Sequence, residues 1–412
     1  MNRTCFCTAA ALIGLHTVQA WAQTPAAPGP DHPVARHRAA LDQARTQSAR
    51  QDQLIKEAMQ QVIKQHDIAG MAIAVTDHGS RRFYNDGLAS KSTGQAVSNQ
   101  TLFELGSISK TFTATLATWA QAQGTLALSE PIQTYLPYLQ GSRLGQVPVL
   151  HLATHTAGGF PLQVPERVQD AEQLKAYFKA WQPQYLPGTH RSYANPSIGL
   201  LGVIAAKRLG LPFEQAMEQK LFPALGLSST YLNVPADQQA LYAQGYDRQD
   251  APVRVNPGVL ADEAYGVKSS SADLIRFVEA QLQPDAFDKP LQAAIRSTQV
   301  GHFTFGPVTQ ALAWEYYPPP VRLEALLAGN ANEMALRTQP ATALTPPQAP
   351  PTGAWVNKTG STNGFGGYVA FVPERQLGIV ILANRNYPNA ERVRLAQQIA
   401  DILASRQEAE IR

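Results

Sequence analysis

Lys358-Thr359-Gly360-Ser361-Thr362-Asn363-Gly364-Phe365-Gly366-Gly367-Tyr368-Val369-Ala370-Phe371-Val372-Pro373-Glu374-Arg375 is the stretch from which the fold can be read. It sits inside three short apolar runs, Ala354 to Thr359, Gly367 to Val372 and Leu377 to Ala383. Asn363-Gly364 and Pro373-Glu374-Arg375-Gln376 separate them. Apolar runs of this length divided by turn-forming residues predict strands, and the spacing predicts an antiparallel meander. Downstream, Val393, Ala396, Ile399, Ala400 and Leu403 share one face of a predicted helix over Glu391 to Ser405. Near the other end of the chain, Met71-Ala72-Ile73-Ala74-Val75 after Gly70 reads as a buried strand, with Arg82-Phe83-Tyr84 as its hairpin partner. The middle reads mostly helical: His151 to Thr154, Ala171 to Trp181 and Ile198 to Leu209, divided by turns such as Pro187-Gly188. The expected class is α+β. An antiparallel sheet flanked by helices is built from both chain ends (51–122 and 251–412), with an all-helical domain (123–250) inserted and the active site at their interface. The Pro/Thr/Ala-rich stretch 337–353 is expected to be an extended surface segment, and no internal repeat is visible.

The chain has 412 residues, 44% hydrophobic and 16% charged, enough for a large core. A net charge of +3 with acids and bases interspersed, and no run of Lys/Arg, argues against a nucleic-acid partner. Arg3, the short apolar run Ala9 to Leu15 and the small-x-small site Ala20-Trp21-Ala22 read as a cleavable export signal over residues 1–22, with the mature chain starting at Gln23 in the periplasm. The run is too short to span a bilayer, so no membrane partner is expected after cleavage. Residues 23–50 read as a Pro/Ala/Gln-rich extension, flexible at Thr24 to Pro30, with helical pattern from near Leu41. Both cysteines, Cys5 and Cys7, lie within the signal, which leaves the mature chain without a thiol nucleophile or a disulfide. His151 and His155 are four apart, but no His-Glu-x-x-His pattern accompanies them, and they read as structural polar residues. No metal and no cofactor are expected.

Three short motifs carry chemistry. Ser107-Ile108-Ser109-Lys110 opens a predicted helix whose apolar residues follow at Phe112, Leu116 and Trp119. A serine there feels the positive end of the helix dipole, and a lysine three residues on shares its face and can help remove its proton. Tyr193-Ala194-Asn195 follows in a predicted loop; a phenol with a pKa of about 10 is a poor base unless nearby ammonium groups favour the phenolate. Lys358-Thr359-Gly360-Ser361 ends a predicted strand. Gly360 lets a ligand's amide approach, and the Ser361 and Ser107 N–H groups together make an oxyanion hole. A lone Ser-x-x-Lys arises by chance about once or twice in 400 residues, a Lys-Thr-Gly on the order of 0.1 times. The information lies in their order and in the elements they occupy.

In that order the motifs resemble those of serine β-lactamases and penicillin-binding proteins. The Tyr-x-Asn form is similar to class C β-lactamases, as are Leu152 to Gly159, Pro161 to Pro165, Ala264 to Lys268 and Lys358 to Asn389. The resemblance covers roughly residues 51–405. It implies a monomeric cephalosporinase-type hydrolase of β-lactam antibiotics, with an acyl-enzyme on Ser107 and with Lys110, Tyr193 and Lys358 as catalytic partners. It further implies that Gln163 and Asn195 grip the substrate's acylamino side chain and that Tyr265 walls its pocket. Asn389 and Arg392 would face the substrate carboxylate beside Lys358, Thr359, Gly360 and Ser361. Two departures stand out: Asn357 where many relatives carry a His, and a loop around Asp247 to Pro252 one residue longer than usual. The alternatives are a DD-peptidase or esterase on the same fold, or a β-lactam sensor that acylates without turnover. Whether Lys110 or Tyr193 is the general base stays open.

Overall fold

The computed structural model describes residues 33–410. The export signal and the 24–30 stretch lie outside the described residues. Helix α1 runs Pro33–Gln65, so residues 33–50 are helical and not an extended tail. Proline is well suited to a first helical turn, and the Ala/Gln/Arg/Leu content that follows favours helix. Strands β1 (Gly70–Asp77) and β2 (Ser80–Ser90) form a hairpin with Asp77 opposite Ser80. Its two-residue turn, His78-Gly79, has positive φ at both positions (50° and 80°), which matches the twist of the flanking strands. Then come β3 (Gln95–Ala96) and β4 (Leu102–Glu104), and helix α2 (Ser109–Ala122). The middle of the chain supplies α3 (Leu150–Ala153), α4 (Ala171–Ala180) and α5 (Asn195–Arg208).

Beyond residue 260 the sequence reading had named only strands before the last helix. The structure places four helical or strand elements first: α6 (Ala261–Ala264), β5 (Lys268–Ser270), α7 (Ser271–Leu282) and α8 (Lys289–Gln299). Helices α7 and α8 are capped by Ser270 and Asp288, whose side chains accept the Asp273 and Leu291 N–H groups. Strands β6 (Gly301–Phe305), β7 (Val308–Gln310) and β8 (Glu315–Tyr317) precede α9 (Leu323–Gly329). Strand β9 (Thr342–Gln348) is the exposed extended segment expected at 337–353. The chain closes with β10 (Trp355–Ser361), β11 (Gly366–Val372), β12 (Leu377–Ala383) and α10 (Asn389–Glu410).

Among the described residues, ten strands form one antiparallel sheet in the order β9-β6-β7-β8-β10-β11-β12-β1-β2-β3. The predicted meander is β10-β11-β12, and β1 docks on β12 with Ile73 opposite Ile381. Strand residues alternate between two cores, as the two-residue period of a pleated sheet requires. Ile73, Tyr368 and Ile381 meet Ile55, Met59, Val393 and Ile399 of the first and last helices. Ala72, Val369 and Leu382 face Phe112, Leu116, Phe277 and Val278 of α2 and α7. Each such side chain removed from water stabilises the fold by about 1.5–3 kcal/mol. The α2 core therefore presses the strand β10 and the start of α2 together, and the candidate site lies where they meet.

Candidate active site

Ser107 lies in a 3-10 turn, Gly106–Ile108, that runs directly into α2. Ile108, Phe112 and Leu116 are fully buried and anchor that helix, which leaves partly exposed Ser107 at its mouth. Two glycines set how closely Ser107 approaches β10. A Cβ on Gly106, whose φ is +52°, would lie 2.5 Å from the Ser361 nitrogen, and one on Gly360 would lie 1.9 Å from the Leu105 carbonyl oxygen. Only glycine allows the two backbones this contact, and the contact sets the Ser107 and Ser361 amides at one place.

Lys110 is fully buried, and its Nζ lies 3.0 Å from Ser107 Oγ and 2.9 Å from the Ala264 carbonyl oxygen. Burial lowers its pKa to about 8, and the Lys358 ammonium pushes the same way against the opposing pull of Tyr193. Tyr193 is 8% exposed, with Lys110 Nζ and Lys358 Nζ each 5.1 Å from its ring centroid. Burial alone would raise its pKa. The ammonium of Lys110, then that of Lys358, and the nearby Ser107 hydroxyl outweigh burial and bring it down to about 8. Its hydroxyl makes no hydrogen bond of normal geometry to the protein, so the phenol oxygen is held mainly by charge. The His155 ring lies 4.4 Å away, tilted by 41°, and stays neutral, its pKa pushed well below the usual value by burial and by Arg191. Its Nδ1 accepts the Ala194 N–H, while His151 bonds Thr156, so both histidines serve the backbone and their neighbours.

These groups border a cavity of about 450 Å³ lined by Ser107, Tyr193, Lys358, Thr359, Gly360 and Ser361. Of the residues expected to touch substrate, Gln163, Asn195, Tyr265 and Asn389 also line it. Gln163 is exposed at its mouth, and Tyr265 is half-buried. Asn195 is the first residue of α5 and not part of a loop, and its Oδ1 is buried without a protein donor. Asn389 opens α10 and donates to the Asn330 carbonyl. Arg392 does not line the cavity, which corrects the expectation that it faces the substrate. It is fully buried behind β10 and donates to the Gly360 and Gly367 carbonyls, Ser361 Oγ, Asn386 Oδ1 and the Tyr387 carbonyl. A guanidinium offers five N–H donors in one plane; here those on Nη1 and Nη2 are spent on the strand and turn that carry the site, while Nε is buried without a protein acceptor.

Sequence reading had not singled out Arg191 and Glu315, which line the same cavity. Arg191 is 2% exposed; its guanidinium donates to Glu315 Oε1 at 2.6 Å, Gln310 Oε1 at 2.7 Å and the Met334 carbonyl at 2.7 Å. It stacks 5.2 Å from the Tyr193 ring. An arginine two residues before Tyr193 on an extended segment shares its face, which was the available signal. Its partners lie more than a hundred residues away in sequence. Asn357 is likewise a hub. It accepts from Asn330 Nδ2 and the Tyr368 hydroxyl and donates to the Glu315 carbonyl, so the site-bearing strand is bonded to the cavity wall beside it.

A nucleophile with a lysine on it, a phenol biased toward phenolate and a paired amide mouth can carry out acyl transfer. Comparison with known proteins is in keeping with that chemistry. A β-lactamase of Pseudomonas fluorescens is 50% identical over 347 residues, covering 84% of this chain and 97% of that one. A structure described as a β-lactamase/D-alanine carboxypeptidase from Pseudomonas syringae is 64% identical with a TM-score of 0.84, covering 85% of this chain and 98% of the other. A class C β-lactamase in complex with cefoxitin is 46% identical with a TM-score of 0.82, covering 86% and 99%. The β-lactamase family model matches residues 52–404. By that match, and by its likeness to class C structures, the chain belongs to the β-lactamase family, in its class C branch.

Proposed function

We propose that the chain is a serine β-lactam hydrolase that opens the rings of cephalosporins and penicillins through an acyl-enzyme on Ser107 and so confers resistance to them. The observation that carries this reading is the group Ser107, Lys110, Tyr193 and Lys358 at one cavity, with Lys110 Nζ 3.0 Å from Ser107 Oγ and Tyr193 biased to about 8 between two lysines. In the first step Ser107 Oγ attacks the lactam carbonyl carbon and its proton passes to the Lys110–Tyr193 pair. The Ser107 and Ser361 N–H groups receive the oxyanion. The C–N bond then breaks as Tyr193 gives a proton to the leaving nitrogen. In the second step Tyr193 takes a proton from the water that attacks the ester, and Ser107 leaves with a proton. Lys110 and Tyr193 both titrate near 8 and in contact, so the base is the pair and not one member. Gln163 and Asn195 would hold the acylamino arm against Tyr265. Lys358, Thr359 and Asn389 would meet the carboxylate, with Arg392 bracing Gly360 and Ser361 from behind.

The same reading assigns 51–122 and 251–412 to one domain with 123–250 inserted. It also takes the enzyme to be a periplasmic monomer that begins at Gln23, which N-terminal sequencing of the exported protein tests. A second reading is favoured by the Pseudomonas syringae neighbour, whose description includes D-alanine carboxypeptidase; release of D-alanine from a D-Ala-D-Ala peptide would support it. The deciding experiment is turnover of nitrocefin by wild type and Ser107→Ala, with intact-protein mass after incubation with cefoxitin. Multiple turnovers and an adduct on wild type alone are expected. A single stoichiometric burst, or an adduct that persists in Ser107→Ala, refutes the reading. Cephalosporins are expected to exceed penicillins in kcat/KM; benzylpenicillin ahead of every cephalosporin by tenfold refutes that preference.

A further inference from the structure

Glu104 is a carboxylate with 2% exposure, three residues before the nucleophile, and no step described above uses it. It ends β4, with Lys268 of β5 as its cross-strand partner. Oε1 accepts the Tyr242 hydroxyl at 2.7 Å and the Val255 N–H at 2.8 Å. Oε2 accepts the Thr362 hydroxyl at 2.5 Å. The three donors come from three stretches remote from Glu104 in sequence, and two of them, at Val255 and Thr362, border the reactive cavity. Val255 and Asn256 form part of one wall, and Ser361, Thr362 and Asn363 form the turn at the end of β10. The Arg254 guanidinium, 3.8 Å over the Tyr242 ring, and the half-buried Lys268 supply positive charge nearby.

A buried carboxylate is costly unless its lone pairs are filled, and an acceptor-only group suits three converging donors. The glycine contacts at Gly106 and Gly360 set how near Ser361 comes to Ser107, and the pairing of Ser361 with Gly366, the Thr362 N–H bond to the Phe365 carbonyl and the Arg392 bonds hold the turn within the sheet. The bond from Thr362 to Glu104 adds a direct tie from that turn to the segment carrying Ser107, since Glu104 is joined to it through Leu105 and Gly106. We propose that Glu104 is a positioning residue. It holds the Ser361–Thr362 turn, through Thr362, and the 255–256 wall, through Val255 and Tyr242, in register with Ser107, so that the Ser361 N–H points at the developing oxyanion. This rests on the serine acyl-enzyme reading above.

The test uses full-length Glu104→Gln, Thr362→Val and Thr362→Ser. Glutamine keeps the size of Glu104 but must turn an NH₂ toward one of the three donors. Valine keeps the shape of Thr362 and removes the hydroxyl, and serine restores it. Removing an oxyanion donor costs about 10²–10³-fold in kcat; a displaced donor is expected to cost about tenfold. Thr362→Val and Glu104→Gln should therefore lower kcat on nitrocefin about tenfold with KM within a factor of about two. They should weaken a boronic acid inhibitor in parallel and raise the infrared stretching frequency of the acyl-enzyme carbonyl, with Thr362→Ser returning all three toward wild type. A general loosening of the fold would not move the carbonyl band of the fraction that acylates. The inference is overturned if Thr362→Val keeps wild-type kcat and carbonyl frequency, or if Thr362→Ser is no better than valine. Failure of wild type itself to turn over nitrocefin or form an adduct at Ser107 would instead overturn the reading beneath it.

Discussion

Tyr193→Phe deletes one oxygen from the site and leaves the ring with its neighbours, His155 at 4.4 Å and the ammonium groups of Lys110 and Lys358 at 5.1 Å. The size of the effect follows from the phenol's pKa of about 8 against its ordinary value of 10.0. That difference is ~3 kcal/mol in favour of the phenolate, and near pH 7 it raises the ionised fraction from about one part in a thousand to about one in ten. A hundredfold larger ionised fraction matches the lower end of the ~10²–10⁴-fold that a positioned acid–base group contributes. The expected loss in kcat is thus about 10²–10⁴-fold, measured on a good cephalosporin across pH 6–10. Folding is expected to be unharmed, because the hydroxyl has no hydrogen-bond partner to strand. The linkage has a definite sign. The folded pKa is lowered, so the phenolate's contribution to stability is present above the unfolded value of 10.0 and lost as pH falls through about 8. Wild type should gain on the Phe variant in denaturation midpoint between those limits. Retention of kcat within a factor of about three, with an unchanged pH profile, would show that Tyr193 only packs.

Arg191→Met should lower the melting temperature by several degrees. It leaves Glu315, whose side chain is 7% exposed, as a buried carboxylate without its guanidinium, a loss of about 3–5 kcal/mol. The double variant Arg191→Met/Glu315→Met should recover most of it, and a single variant as stable as wild type would refute the argument. Gly360→Ala should abolish activity or folding, since its methyl would sit 1.9 Å from the Leu105 carbonyl oxygen; normal turnover by a soluble Gly360→Ala protein would contradict the tight contact between β10 and the Ser107 turn. Dialysis against EDTA should leave hydrolysis unchanged, and a loss restored by zinc would contradict a serine mechanism.

The strands and helices that bear motifs were legible because their signals are local. Asn363-Gly364 and Pro373 to Gln376 mark turns whose flanking runs became β10, β11 and β12. Ser107, Tyr193 and Lys358 were legible as a set by their order, and the structure brings them to one cavity. The residues that escaped notice owe their roles to distant partners. Arg191 meets Glu315 and Gln310, and Glu104 meets Tyr242 and Thr362. Helices α7 and α8 were not read from the sequence, although Leu274, Ile275 and Val278 in one and Leu291, Ala294 and Ile295 in the other are buried at helical spacing. Arg392 shows a limit of motif-based assignment. The family resemblance suggested substrate contact, yet the Arg392 side chain turns inward to five protein acceptors.

Strand β1 lies between β2 and β12, with Asp77 paired to Leu377. The ribosome makes those two residues 300 positions apart, so at ~5–20 residues per second β1 waits about 15–60 s for its second neighbour. Throughout that interval the β1–β2 hairpin carries an open edge that is apolar from Met71 to Val75, the kind of edge that recruits other chains. The last-made strands also carry Lys358 and Ser361. A nascent chain therefore has Ser107 long before it has a complete site, and truncation even slightly short of β12 should yield an aggregating product in place of a weak enzyme.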